Sequence, residues 1–81
     1  MKIKLIIKAG DAKLEEKLAE AFLHAKKHEA DILEISYGTH EGETKRRLLN
    51  FLMKKEYREI YSRLVKSKEG WGRIFVYFRW K

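Results

Sequence analysis

The sequence predicts an α/β fold: a two-layer sandwich with the element order βαβαββ, in which a four-stranded mixed sheet carries two helices on one face. Four segments alternate polar and apolar residues, as half-buried strands do, and two amphipathic helical segments separate the first three of them. A chain of 81 residues that is 44% hydrophobic has room for one core. We therefore predict that residues 1–81 form a single domain.

The first strand and the first helix occupy the N-terminal third. Lysines alternate with aliphatic residues across Lys2–Lys8, which predicts a strand. A turn at residues 9–10 follows, and Asp11 is a good helix N-cap. Apolar residues then recur at helical spacing, so we expect helix one to run from about Ala12 to about His28.

The second strand and the second helix form the middle of the chain. Alternation across Asp31–Tyr37 places Leu33, Ile35 and Tyr37 on one face of a strand. The loop Gly38–Gly42 leads into a helix with basic residues outside. Its apolar residues, which we expect to point inward, are Leu48, Leu49, Leu52 and Met53.

The last two strands form a predicted antiparallel pair. They cover Ile60–Lys66 and Arg73–Lys81, and Lys68–Gly72 is the predicted hairpin turn. If alternation directs one set of residues of the last strand to the helices, the other set faces away on an uncovered side of the sheet. The helix-facing set is Ile74, Val76, Phe78 and Trp80, and the opposite set is Phe75, Tyr77 and Arg79.

The net charge of +7 is unevenly distributed. Residues 1–36 hold seven Lys and seven acidic residues, whereas residues 37–81 hold twelve Lys plus Arg and five acidic residues. A polyanion is the natural partner of such a half, so we expect binding to RNA or DNA. The alternative is a solvated basic surface that only keeps the protein in solution.

Composition excludes several other classes of function. The chain has no cysteine, which excludes disulfides and thiolate metal sites. No window approaches the roughly 20 apolar residues that span a bilayer, so we expect a cytoplasmic protein that has no membrane partner. We predict no cofactor and no bound metal. The lack of Pro and Gln among many Lys and Glu residues is typical of thermostable proteins, natural or designed.

Three segments, taken in order, resemble the small MutS-related (Smr) domain. They are Leu5–Leu23, a strand, a glycine and a helix; Ile35–Leu52, a glycine loop and a basic helix; and Glu69–Phe78, a glycine-rich turn and a final strand. Active members of that family nick or cleave DNA or RNA. The resemblance implies nucleic-acid contact through the glycine loop and the basic helix.

The resemblance does not extend to the characteristic histidines of the family. In the opening motif Gly10 matches, but the family histidine falls on Ala9. In the glycine loop, Gly38 and Gly42 match, whereas Tyr37 occupies the position of the histidine. Cleavage is therefore not implied. Two alternatives stay open: an endonuclease that uses a displaced histidine, and a structural or designed domain without a ligand.

Three features supply the predicted nucleic-acid contacts. Backbone N–H groups and the helix dipole at the glycine loop favour a phosphate, although Glu41 and Glu43 place negative charge there. The second helix is basic, and Tyr61, Arg63 and the outward aromatic residues of the last strand could stack on bases. The predicted contact residues are Lys8, Tyr37, Gly38, His40, Gly42, Lys45, Arg46, Arg47, Lys54, Lys55, Arg63, Trp71, Tyr77 and Arg79.

The alternative for the aromatic face is that aromatic residues are simply good strand formers and that a second copy covers them in a homodimer. The three histidines offer weaker hypotheses. His24 and His28 have the i, i+4 spacing that can share a metal, with Asp31 as a conceivable third ligand. His40 in the glycine loop is the candidate for a catalytic acid or base.

Overall fold

A computed structural model describes residues 1–8, 11–38, 43–67 and 72–80. Its strands and helices follow the predicted order, with one short helix added before the third strand. They are β1 (Lys2–Ile6), α1 (Leu14–His28), β2 (Ile32–Gly38), α2 (Glu43–Leu52), α3 (Lys55–Arg58), β3 (Tyr61–Ser67) and β4 (Gly72–Phe78). The predicted fold class is confirmed. Within these ranges no helix is long and apolar enough to cross a membrane.

The four strands form one mixed sheet in the order β1-β2-β4-β3. β1 and β2 are parallel, and β4 runs antiparallel to both of its neighbours. The last strand therefore enters the sheet between β2 and β3, so that β3 is parallel to β2 without touching it. This insertion makes β2 and β4 the central strands and leaves β1 and β3 at the edges.

The core lies between the helices and one face of the sheet, here called the helix face. The helices contribute Leu14, Leu18, Phe22, Leu48, Phe51 and Leu52, and the central strands contribute Leu33, Ile35, Tyr37, Ile74 and Val76. The ring of Phe22 meets those of Phe51 and Phe78 edge-on at centroid distances of 6.0 and 5.5 Å. One apolar layer therefore joins both long helices to the sheet.

The prediction that Met53 of the second helix points inward is wrong. Met53 is 55% exposed, and Phe51 is buried in its place. The reason is that α2 ends at Leu52, so Met53 does not continue its helical stripe. The short α3 then returns Tyr57 to the core, where its ring stacks on that of Phe51 at 4.2 Å.

A close backbone approach fixes the junction of the central strands. Gly38, at the end of β2, has φ = 77° and pairs with Gly72 at the start of β4. A Cβ added to Gly72 would lie 2.5 Å from Cε2 of Tyr37 and 2.7 Å from the carbonyl oxygen of Gly38. Only glycine fits at position 72, because both the Tyr37 ring and the backbone oxygen occupy that space.

Candidate nucleic-acid interface

The sheet face away from the helices is not covered by any described element. The strand register places its side chains in three rows, each crossing β1, β2, β4 and β3. We call this surface, with Arg79 beyond the end of β4, the open sheet face. Its rows are Lys2, Ile32, Tyr77 and Arg63; Lys4, Glu34, Phe75 and Val65; and Ile6, Ser36, Arg73 and Ser67.

Cations on the open sheet face lie over its aromatic rings. The guanidinium carbon of Arg63 lies 4.4 Å from the centroid of the Tyr77 ring, and Nζ of Lys2 lies 5.6 Å from that of Phe75. Both rings are half-buried. Because each cation lies over a ring, the positive charges are held next to apolar surface and do not extend freely into solvent.

Glu34 lies within this cationic surface, on central strand β2. Its carboxylate pairs with Lys2 at 2.7 Å and lies 3.8 Å from Nε of Arg73, and only 10% of its side chain is exposed. The hydrogen bond from Lys2, helped by the charges of Arg73 and Lys4, holds the pKa of the Glu34 carboxyl below its usual range. The carboxylate is therefore ionised at neutral pH and orders the cations around it.

Tyr61 does not belong to the open sheet face, contrary to the prediction. A β-bulge between Tyr61 and Arg63 adds one residue to β3, so these two side chains lie on opposite faces. The Tyr61 hydroxyl donates a 2.6 Å hydrogen bond to the carbonyl of Leu52 on the helix face. Partial burial there raises the pKa of that hydroxyl. Strict alternation had placed Tyr61 and Arg63 together.

The side chain of Arg47 is directed to α1. Its Nη2 and Nε donate to the two carboxylate oxygens of Glu15 at 2.7 and 3.2 Å, and Nη1 donates to the carbonyl of Asp11 at 3.0 Å. These hydrogen bonds lower the pKa of Glu15 and raise that of Arg47. Arg47, a predicted phosphate contact, thus joins the beginning of α1 to α2, and 27% of its side chain is exposed.

Asp11 lies in the turn before α1 and is not its N-cap residue. Asp11 was the predicted N-cap, but the helix begins at Leu14, directly after Lys13. Oδ1 of Asp11 accepts from the backbone N–H of Lys13 in the turn before the helix. Its other oxygen accepts from Lys17 at 2.5 Å. The hydrogen bonds from Lys17 and then from Lys13 lower the pKa of the Asp11 carboxyl.

The other predicted cations of the second helix lie on the opposite side of the molecule from the open sheet face. Lys45 is half-buried, whereas Arg46, Lys54 and Lys55 are exposed. Lys54 follows the end of α2, and its Nζ lies 5.5 Å from the centroid of the Phe51 ring. We call Lys45, Arg46, Lys54 and Lys55 the helix patch. It holds four of the five cations that the sequence assigned to this region.

The glycine loop is described only at its beginning. Tyr37 is 5% exposed and belongs to the core, so its ring is not available for stacking with bases. Lys8 is exposed after β1. Three other predicted contact residues, His40, Gly42 and Trp71, lie outside the described residues.

The histidine pair does not extend to a metal site in the described part of the chain. The rings of His24 and His28 are 4.5 Å apart on the surface of α1. Asp31, the conceivable third ligand, instead accepts a 2.8 Å hydrogen bond from the amino group of Met1. Among residues 1–8, 11–38, 43–67 and 72–80, no group of three or more potential ligands could hold a metal ion.

Four charged residues of the open sheet face were not among the predicted contacts: Lys2, Lys4, Glu34 and Arg73. The signal for each was present, because Lys2 and Lys4 alternate with core residues of β1 and Arg73 lies two residues before Phe75. What was missing was the position of β1, which completes the surface by pairing with β2. The N-terminal half is electrically balanced as a segment but still supplies two cations to one face.

Comparison of the chain with protein-family models, with curated proteins and with solved structures found no match. The resemblance to the small MutS-related domain therefore stays a sequence-based prediction.

Proposed function

We propose that this protein binds single-stranded RNA or DNA across the open sheet face, with the helix patch as a secondary contact. The observation that carries the proposal is a sheet surface that no described element covers and on which two aromatic rings each lie beneath a cation. Unpaired bases stack on aromatic rings and on guanidinium planes, and the phosphates between them attract Lys and Arg. The cytoplasm is the compartment that we propose for this binding.

The spacing of the surface suits a single strand. Phe75 and Tyr77 are two residues apart on β4, so their Cα atoms are separated by about 7 Å. Four strands about 4.8 Å apart give the face a width of about 14 Å. Two or three splayed nucleotides fit over such an area, whereas a duplex keeps its bases stacked and away from the rings.

The charge of the open sheet face supports a polyanion as the occupant. Its described side chains include five cations, Lys2, Lys4, Arg63, Arg73 and Arg79, and one carboxylate, Glu34. A homodimer through the same face fits less well, because a two-fold axis would bring this excess of positive charge against its own copy. We expect a monomer in sedimentation experiments at micromolar concentration.

The test is fluorescence anisotropy of labelled single- and double-stranded RNA and DNA at about 50 and about 200 mM salt. If all five cations contact phosphates of a single strand, counterion release gives a slope of about −3.5 and a loss of affinity of about 100-fold. We expect single strands to bind more tightly than duplexes of the same length. Failure of every oligonucleotide to bind at the lower salt concentration would falsify the proposal.

A further inference from the structure

Glu34 is an unexpected residue for a surface that binds phosphates. It is the one carboxylate that the described strands present on the open sheet face, and it lies on a central strand between Lys4 and Phe75 in the same row. A negative charge there weakens the attraction of every phosphate. A neutral polar residue would satisfy the strand and leave the surface more basic.

The contacts of Glu34 fix its carboxylate and leave acceptor capacity on it. Oε1 accepts from Nζ of Lys2 at 2.7 Å, and Oε2 lies 3.8 Å from Nε of Arg73. An ionised carboxylate has about four lone-pair sites and no donor. Two neighbouring cations thus hold the group in place. Only 10% of the side chain is exposed, so a ligand can use only those lone pairs that Lys2 and Arg73 leave open at this small exposed part.

We propose that Glu34 selects guanine in single-stranded nucleic acid bound across the open sheet face, an inference that rests on the proposed function. Guanine is the base whose Watson–Crick edge carries two adjacent donors, N1–H and the N2 amino group, which match the two oxygens of a carboxylate. Adenine and cytosine place a ring-nitrogen acceptor beside their amino group. Uracil and thymine flank their single N–H with two carbonyl oxygens, which a carboxylate repels.

The position of Glu34 beside an aromatic ring supports this assignment. Glu34 and Phe75 are directly paired across β2 and β4, so a base that lies over the Phe75 ring has its edge within reach of the carboxylate. Stacking supplies affinity for any base, and the carboxylate then discriminates among base edges. Lys2 contacts both the carboxylate and the ring, which keeps the two parts of the site together.

The experiment compares three labelled oligonucleotides of equal length: oligouridine, oligouridine with one central guanosine, and the same strand with inosine in place of guanosine. One guanosine per strand avoids self-association of guanine runs, and inosine lacks only the N2 amino group. We expect the guanosine strand to bind at least about fivefold more tightly than oligouridine, as a bidentate base contact does. Inosine should lose most of that gain.

The variant that tests the residue is Glu34→Gln, with Glu56→Gln on exposed α3 as a control of equal charge change. Removal of one negative charge strengthens binding to all strands in both variants. Only Glu34→Gln should also abolish the guanosine preference, because the glutamine amide group presents a donor to a donor. The guanosine and inosine strands test the inference in the unaltered protein, so poor folding of the variant does not leave it undecided.

The outcomes separate this inference from the proposed function. If the three strands bind with equal affinity and Glu34→Gln strengthens all of them equally, Glu34 only balances charge, and the inference is wrong while nucleic-acid binding stands. A guanosine preference that persists in Glu34→Gln would also overturn the assignment. If no strand binds at about 50 mM salt, the proposed function itself fails.

Discussion

The open sheet face and the α2 side of the molecule are both basic, but their cations are in different situations. On the sheet, Arg63 and Lys2 lie over half-buried aromatic rings, and Lys2 is also paired with Glu34. On α2, Arg47 is bound to Glu15, and Lys54 lies near the ring of Phe51, which is buried. The number of positive charges on a segment therefore does not give the number that is available to a phosphate.

The largest expected effect comes from neutralising two cations on each surface. We expect Arg63→Gln with Arg73→Gln to weaken single-strand binding by about 30- to 100-fold and to make the salt slope shallower by about 1.4. Lys45→Gln with Arg46→Gln removes the same charge from the helix patch and should cost at most about threefold. Anisotropy titrations of both double variants measure the difference. Equal losses of affinity in the two double variants would show that the two surfaces contribute equally to binding.

The next effect concerns the junction that supports the open sheet face. Gly72→Ala should lower the free energy of unfolding by about 2 kcal/mol, because the new methyl group overlaps the Tyr37 ring and the Gly38 oxygen. Chemical denaturation with urea measures the change. Ser36→Ala is the control. Ser36 lies on β2 beside Tyr37, but its side chain is on the open sheet face, so this substitution should leave the free energy of unfolding nearly unchanged. Unchanged stability of Gly72→Ala would show that the strands separate easily at this point.

A smaller effect tests the aromatic contribution. Tyr77→Leu keeps an apolar side chain on the sheet and removes the ring beneath Arg63, so single strands should lose about fivefold in affinity. Duplexes, which keep their bases stacked, should lose less than about twofold. Parallel titrations with a single strand and with its duplex give the ratio. A similar loss for both would mean that Tyr77 acts only by positioning Arg63.

The smallest effect on binding is expected at Arg47. Arg47→Gln should leave affinity within about twofold of the unaltered protein and lower the midpoint of thermal unfolding by a few degrees, whereas Arg46→Gln should leave that midpoint unchanged.

The pH dependence of the stability that this ion pair provides follows from the lowered pKa of Glu15. The stabilisation is fully present above the ordinary value of 4.5 and is lost as the pH falls through the lower folded-state pKa. Thermal melts from neutral to acidic pH check this sign.

Local periodicity was sufficient to predict the buried residues of α1 and β2 and the outward aromatic residues of the candidate site. The spacing of Leu14, Leu18 and Phe22 and the alternation of Leu33 and Ile35 predicted which sides of α1 and β2 are buried, and all five residues are in the core. The outward direction of Phe75 and Tyr77 was predicted in the same way. These predictions succeed because helix and strand geometry fixes the direction of a side chain relative to its close neighbours in sequence.

The tertiary structure decided the features that depend on distant partners. It inserted β4 between β2 and β3, brought Lys2 and Lys4 onto the same face of the sheet as the aromatic residues, and directed Arg47 to Glu15, which is 32 residues away. It also placed a bulge in β3 that moved Tyr61 to the helix face. Sequence by itself determined the four strands, the two long helices, most of their buried sides and the net charge. Only the pairing of strands and helices decided which charges are free to meet a ligand, because an ion pair or a strand register is a contact between residues that no local pattern connects.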